Sequence, residues 1–171
     1  MVVEERLRVS VPSMVFTDAE RSYLVAHPLG RLATIGPAGS PQVQPVAFEL
    51  GDDAVTLNIG GPDLAKNQKY RNIEADPRVS FVVDDVADEP VGPGGQRGRG
   101  LEIRGRAELH VVAQPMMEGF SRDLISIRPR RIIAWNIDGP GHIARNVEAG
   151  SGSHLDQQED KNADADQGGH Q

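Results

Sequence analysis

The segment Leu101–Val111 constrains the fold most, because it alternates without interruption between two kinds of residue. Its small and apolar positions are Leu101, Ile103, Gly105, Ala107, Leu109 and Val111. Charged and polar side chains occupy every position between them. A period of two is that of a β-strand with one buried face, and a helix could not bury such a pattern. The chain must therefore contain a sheet that is covered on one side.

Shorter segments of strand character occur on both sides of this one. They are Gly30–Ile35, Gln42–Leu50, Ala54–Ile59, Arg78–Asp84 and Arg130–Asn136. Short turn sequences rich in glycine, proline and aspartate separate the first three of these segments, which is typical of antiparallel neighbours. Six strands with short connections and few helices predict a mainly β fold, a small closed barrel of six mostly antiparallel strands.

Three short helices are predicted around these strands. Thr17 and Glu20 form a capping-box pattern that begins a helix over Asp18–Ala26. A second helix is predicted over Asp63–Ala75, and a third, with a break, within Gln114–Ile125. The Gly-rich and Pro-rich stretch 85–100 is predicted to be a mobile loop.

The chain divides into one domain and two flanking segments. At 171 residues, a single domain is the expectation. Residues 1–16 are predicted to be an irregular lead-in, and residues 17–147 the barrel. Residues 148–171 carry six acids and one lysine, so they account for −5 of the net charge of −7. Because this segment is also poor in large apolar residues, we predict that it is disordered.

Composition and motifs exclude several classes of chemistry. The chain has no cysteine, which excludes disulfides, iron–sulfur clusters and a cysteine nucleophile. No signal-peptide core or membrane-length apolar run is present, so we expect a cytoplasmic protein that does not bind membranes. The five histidines are never at metal-ligand spacing, and we predict no metal site.

The chain also lacks the common motifs of enzymes that catalyse reactions with their own side chains. No G-x-S-x-G elbow, H-E-x-x-H motif or P-loop occurs. The glycines at 92–100 lack the flanking strand and helix of a dinucleotide site. That stretch also lacks aromatic residues and contains acids, which argues against nucleic-acid binding. If the protein is an enzyme, its chemistry must come from a bound organic cofactor.

A group of cations in the predicted helix 63–75 indicates an anion site. Lys66, Lys69 and Arg71 lie within six residues that contain no acid. On an ideal helix Lys66, Lys69 and Ile73 share one side, so the isoleucine could anchor while the lysines reach outward. The alternative is that these are ordinary solvated side chains on a helix surface.

Seven segments follow one another in a characteristic order and spacing: Gly30–Gly36 (GRLATIG), Gly39–Val43, Val55–Asn58, Lys69–Ile73, Asp76–Phe81, Leu101–Ala107 and Ile127–Trp135. Together they resemble the pyridoxamine-phosphate-oxidase-like split β-barrel family. The resemblance covers roughly Phe16–Val147 and implies a split barrel of the flavin-reductase, FMN-binding type. Within the family, the chain is most similar to the actinobacterial branch that uses coenzyme F-420, a deazaflavin.

The resemblance implies a set of cofactor-binding residues, but identifies no catalytic residue. They are Arg31, Leu32, Ala33 and Thr34 on the first strand, Asn58 and Ile59 on the third, Lys66 and Lys69 on the helix, and Trp135. Where flavin-using relatives have a Ser-Arg-Lys run that grips the FMN phosphate, this chain keeps only the lysine, Lys69, which argues against tight FMN binding. The sequence after Trp135 lacks the clamp of pyridoxal-forming oxidases, which argues against oxidation of pyridoxamine phosphate. Trp135 either flanks the cofactor ring or packs beneath the last strand.

The implied function is hydride transfer between reduced coenzyme F-420 and a conjugated small molecule. The implied assembly is a homodimer with the cofactor cleft between its subunits. Two alternatives stay open: an FMN-dependent oxidase or reductase of the same fold, and a barrel that carries a flavin or haem without catalysis.

Overall fold

The computed structural model of the protein describes residues 14–147. It contains two helices and seven strands: α1 (Asp18–Ala26), β1 (Leu29–Ile35), β2 (Pro41–Leu50), β3 (Leu57–Ile59), α2 (Gln68–Ala75), β4 (Arg78–Val86), β5 (Gly98–Val111), β6 (Asp123–Trp135) and β7 (His142–Asn146). The predicted lead-in before residue 14 and the predicted acidic tail 148–171 lie outside the described residues. Neither helix of the described part is long and apolar enough to cross a membrane.

Six of the strands close into an antiparallel barrel in the order β3-β2-β1-β4-β5-β6. Pairing of β3 with β6 completes the ring, and β7 pairs with the other end of β6. The predicted mainly β, six-stranded barrel is therefore confirmed. The seventh strand, β7, was not predicted from the sequence.

Two of the predicted helices differ from the structure. The third, within Gln114–Ile125, is wrong, because β6 begins at Asp123 and pairs there with the end of β5. Pro115 lacks a backbone donor, and Gly119 has a φ of 83°, so this stretch forms an irregular connection. The second is split, because Asn67 has an extended backbone (φ −79°, ψ 149°) between a single helical turn and α2.

The loop predicted at 85–100 is shorter in the structure. β4 continues to Val86 and β5 already begins at Gly98, where the two residues pair. The predicted third strand is also shorter and begins at Leu57 rather than Ala54, whose φ is 53°.

The apolar core fills the inside of the barrel because each strand turns alternate residues inward. Leu32, Phe81 and Ile103 lie side by side on β1, β4 and β5, and each is at most 1% exposed. The residues between them point outward. We call the surface formed by the outward side chains of β1, β2, β4, β5 and β6 the outer face. Its central positions include Ala33 and Ser80, which are paired.

Helix α1 is joined to the barrel through two charged contacts. The capping box is present as predicted, since Thr17 and Glu20 bond reciprocally. Glu20 is fully buried, and Arg145 of β7 donates to its carboxylate over 2.7 Å. At the other end of the helix, Tyr23 donates to Asp85 of β4 over 2.8 Å. The Arg99 guanidinium, also bonded to Asp85, holds the pKa of that carboxyl well below its usual range.

Candidate functional site

A cavity of about 520 Å³ opens on the outer face where β1, β4 and β5 run side by side. Small or apolar side chains of Ala33, Ile35 and Pro41 form one part of its wall. The rest is dominated by arginines: Arg78, Arg104, Arg106 and Arg130. We call this the arginine cavity. An apolar wall facing guanidinium groups suits a ligand that combines carbon surface with negative charge.

Strand register brings three of the four arginines together. Arg78 of β4 lies directly opposite Arg106 of β5, so the two share a face. Arg104 lies two residues before Arg106 and therefore points the same way. Residues far apart in the chain thus converge because β4 and β5 are antiparallel neighbours.

A β-bulge adds the fourth arginine, Arg130. Arg104 pairs with Arg131, but the next residue, Gly105, pairs with Pro129, so Arg130 has no opposite residue. A bulge of this kind inserts one residue and redirects its side chain. Gly105 is required here, because a Cβ at this position would lie 2.2 Å from the carbonyl oxygen of Arg128.

The arginines of the cavity differ in how their charge is compensated. Arg78 bonds to Asp76 over 2.6 Å, and Arg104 bonds to Glu102 over 2.6 Å. These guanidinium groups lower the pKa of both carboxyls. Arg106 and Arg130 form no ion pair with any residue between 14 and 147. Two guanidinium groups of the arginine cavity therefore lack a counter-charge among the described residues and remain available to an anion.

A second candidate anion site lies at α2. Lys69 is half-buried, and its amine lies 3.3 Å from the neutral Oε1 atom of Gln44 on β2. Burial lowers the pKa of this lysine, because the charged form loses water contacts. No carboxylate within the described residues forms an ion pair with it. The site thus presents a partly desolvated cation without a counter-charge.

Buried polar contacts hold α2 in place against the barrel. The Nδ2 atom of Asn72 donates to Thr34 of β1 and to Gln42 of β2, both over 2.9 Å. Gln68 in turn donates to Asn72 over 2.7 Å. Because Asn72 is buried, these bonds fix the helix, and with it Lys69, relative to the first two strands.

The structure places Arg31 and Lys69 on opposite faces of the sheet. Arg31 lies opposite Pro45, points to the outer face and bonds to Asp84 over 2.7 Å. Gln44, one residue before Pro45, points the other way, towards Lys69. The two cations therefore do not contribute to the same anion site within a single chain.

The other residues predicted to bind the cofactor differ in how far they are exposed to solvent. Leu32, Thr34 and Ile59 are at most 4% exposed and belong to the interior. Asn58 accepts a hydrogen bond from Ser126 over 2.7 Å. Lys66 is exposed, and its amine bonds to the carboxylate of Asp63 over 3.1 Å. Because Asn67 interrupts the predicted helix between Lys66 and Lys69, the two lysines do not share a helix face. Of the predicted first-strand residues, Ala33 and Thr34 line the arginine cavity, and Ala33 is on the outer face.

Trp135 lies on the outer face, at the end opposite the arginine cavity. Its ring covers Gly100, where a Cβ would come within 2.5 Å of the indole Cζ2 atom. It also lines a second cavity of about 590 Å³, together with Gln96 and His142. On β6, Arg130 of the arginine cavity and Trp135 of the second cavity are five positions apart, or about 17 Å along the strand.

One family model matches most of the chain, and a curated relative is similar over nearly the same length. A family model described as pyridoxamine 5'-phosphate oxidase matches residues 16–148. A protein of Streptomyces rimosus, named 5a,11a-dehydrotetracycline/5a,11a-dehydrooxytetracycline reductase, is 36% identical over 149 residues, which cover 81% of this chain and 98% of the relative.

Solved structures extend the likeness to the fold. A structure titled F420 reductase is 27% identical with a TM-score of 0.50, over 68% of this chain and 98% of its own. A haem-binding protein from Mycobacterium smegmatis is 17% identical with a TM-score of 0.55, over 77% of this chain and 58% of its own. At that identity the second likeness concerns the fold alone.

Proposed function

The chain belongs to the pyridoxamine 5'-phosphate oxidase family, and from this membership we propose that it is an oxidoreductase that uses reduced coenzyme F-420. The bound coenzyme would supply a hydride, and a conjugated small molecule would accept it. The likeness to a dehydrotetracycline reductase and to an F420 reductase supports this choice.

The observation that carries the proposal is the charge of Lys69, which no carboxylate of residues 14–147 compensates. Coenzyme F-420 is a multiple anion attached to a flat ring. The amine of Lys69 is half-buried and bonds to the neutral side chain of Gln44. A bound phosphate would supply a counter-charge and would replace the water contacts that the amine loses on burial. Helix α2 is fixed through Asn72, which keeps this amine in place before the cofactor arrives. The residues present therefore fit the anionic part of the coenzyme.

We further propose that two copies of the chain form the complete cofactor cleft. Lys69 lies beside β2 and contacts Gln44, which points away from the outer face, whereas Trp135 lies on the outer face of β6, so one chain does not bring the two side chains together. A two-fold contact could place the indole of one copy near the lysine of the other. The tryptophan end of the outer face also exposes Leu29 (56%) and Val86 (70%), which such a contact would cover.

The test is a titration of the full chain with coenzyme F-420 and, separately, with FMN. We expect F-420 to bind and its reduced form to be oxidised when a dehydrotetracycline is added. Binding of FMN alone would contradict the choice of cofactor. Binding of F-420 without turnover, with this and other conjugated polycycles, would favour a carrier protein over an enzyme.

A further inference from the structure

The arginine cavity is not needed for the cofactor contact at Lys69, and its own ligand can be inferred separately. We propose that it binds the acidic segment 148–171 of the same chain. The segment would occupy the cavity when no other anion is present and would compete with anions that approach from solution. This proposal does not depend on the identity of the cofactor.

The described chain ends at the rim of the cavity. The backbone amide of Val147 donates to the carbonyl oxygen of Arg130 over 2.8 Å, and Arg130 lines the cavity. Glu148, the first acid of the segment, is the next residue. From β6 to β1 the cavity spans three strand spacings, about 14 Å. The eight residue-to-residue steps from Glu148 to Asp156 can extend to about 26 Å, so Asp156 can reach the far side of the cavity.

The charges of the two partners are complementary. Segment 148–171 carries a net charge of −5, whereas residues 1–147 together carry −2. The arginine cavity is thus a local concentration of positive charge on a slightly acidic domain. Arg106 and Arg130 have no ion-pair partner among residues 14–147, and carboxylates form strong charge-assisted hydrogen bonds with guanidinium groups. An acidic segment tethered at Val147 has a high effective concentration at this cavity.

A spin label can test the contact in the full chain. Because the chain has no cysteine, Ser153→Cys provides a single attachment point for a nitroxide. We expect the label to broaden amide NMR signals of the cavity strands, around Arg104 and Arg106 on β5 and Arg130 on β6. The broadening should be lost between 10 mM and 1 M salt, where the Debye length falls from about 30 Å to about 3 Å.

Matched variants test whether the positive charge of the cavity causes the broadening of the amide signals. Changing the segment's acids to their amides should abolish the broadening, as should the double change Arg106→Gln and Arg130→Gln. The control removes the same charge elsewhere, through Arg21→Gln and Arg122→Gln, and should leave the broadening intact. Equal loss in the control, or no broadening in the parent chain, would overturn the proposal.

Two further readouts separate the possible occupants. If labelled and isotope-enriched chains are mixed as different molecules, broadening between them would show that a second copy supplies the segment and would contradict a contact within one chain. Pyrophosphate, as a probe anion, should bind about tenfold more tightly when the segment is neutralised, as expected if the cavity is otherwise nine-tenths covered. Unchanged pyrophosphate affinity would contradict the competition.

Discussion

Replacing Glu20 by alanine is expected to lower the free energy of unfolding by about 3–5 kcal/mol, because it removes one partner of a buried ion pair. The Glu20 carboxylate is fully buried and bonds to Arg145 over 2.7 Å. Arg145 also donates to the carbonyl oxygen of Val15 over 2.8 Å. The change would leave a guanidinium group partly buried without its counter-charge and would remove the capping contact to Thr17. Urea unfolding followed by circular dichroism measures the loss.

Asp18→Ala is the comparison for this prediction, because Asp18 lies in the same first helical turn and its side chain is 82% exposed. Its pair with Arg21 is at the surface, so its removal should cost at most about 1 kcal/mol. If Glu20→Ala does not fold, Glu20→Gln provides a second variant, because it keeps the size of the side chain and one acceptor oxygen but removes the charge and the second acceptor. Equal losses for Glu20→Ala and Asp18→Ala would show that the buried pair does not anchor α1.

Replacing Lys69 by alanine is expected to weaken binding of coenzyme F-420 by about 10- to 100-fold. A hydrogen bond to a charged group contributes about 1.5–3 kcal/mol, and 1.4 kcal/mol corresponds to a factor of ten. Since the amine is half-buried and bonds to the neutral Gln44, its charge is weakly screened and unpaired within the described residues. A fluorescence titration of parent and variant measures the change.

Lys66→Ala provides the matched comparison three residues away. Lys66 is 79% exposed and already bonds to Asp63, so its loss should change the affinity less than threefold, within the range of surface ion pairs. Both lysines were predicted from the sequence to bind the cofactor, but in the structure Lys66 is paired with Asp63 and Lys69 contacts the neutral Gln44. Equal effects of the two changes, or none from either, would contradict the assignment of the site to Lys69.

The strands were predictable because each shows its own local pattern. Leu101–Val111 alternates over its whole length, and the structure places it in β5. β7 was missed because it has only five residues and just one strongly apolar side chain, Ile143. The helix expected within Gln114–Ile125 failed because pairing with β5, which no local pattern reveals, holds Leu124 and Ile125 in β6.

The site was less predictable because it depends on pairing between strands. Arg104 and Arg106 were visible on the polar face of their strand, but only the register shows that Arg78 lies opposite Arg106. Arg130 joins them through a bulge that no sequence pattern marks. Conversely, Arg31 and Lys69 were both predicted to bind the cofactor, but strand alternation places them on opposite faces of the sheet. The cation at Lys69 was predicted, whereas its lack of a counter-charge required the structure.

Whether Lys69 holds the coenzyme can be measured through the pKa of its amine, with and without coenzyme F-420. The chain has only three lysines, at positions 66, 69 and 161, so NMR of lysine labelled with ¹³C gives few signals, and Lys69→Arg assigns the one in question. We predict that burial keeps the pKa of Lys69 below its ordinary value in the free protein, and that the coenzyme's anionic groups raise it on binding. An ordinary pKa in the free protein that does not change when F-420 binds would contradict the assignment of the cofactor site to Lys69.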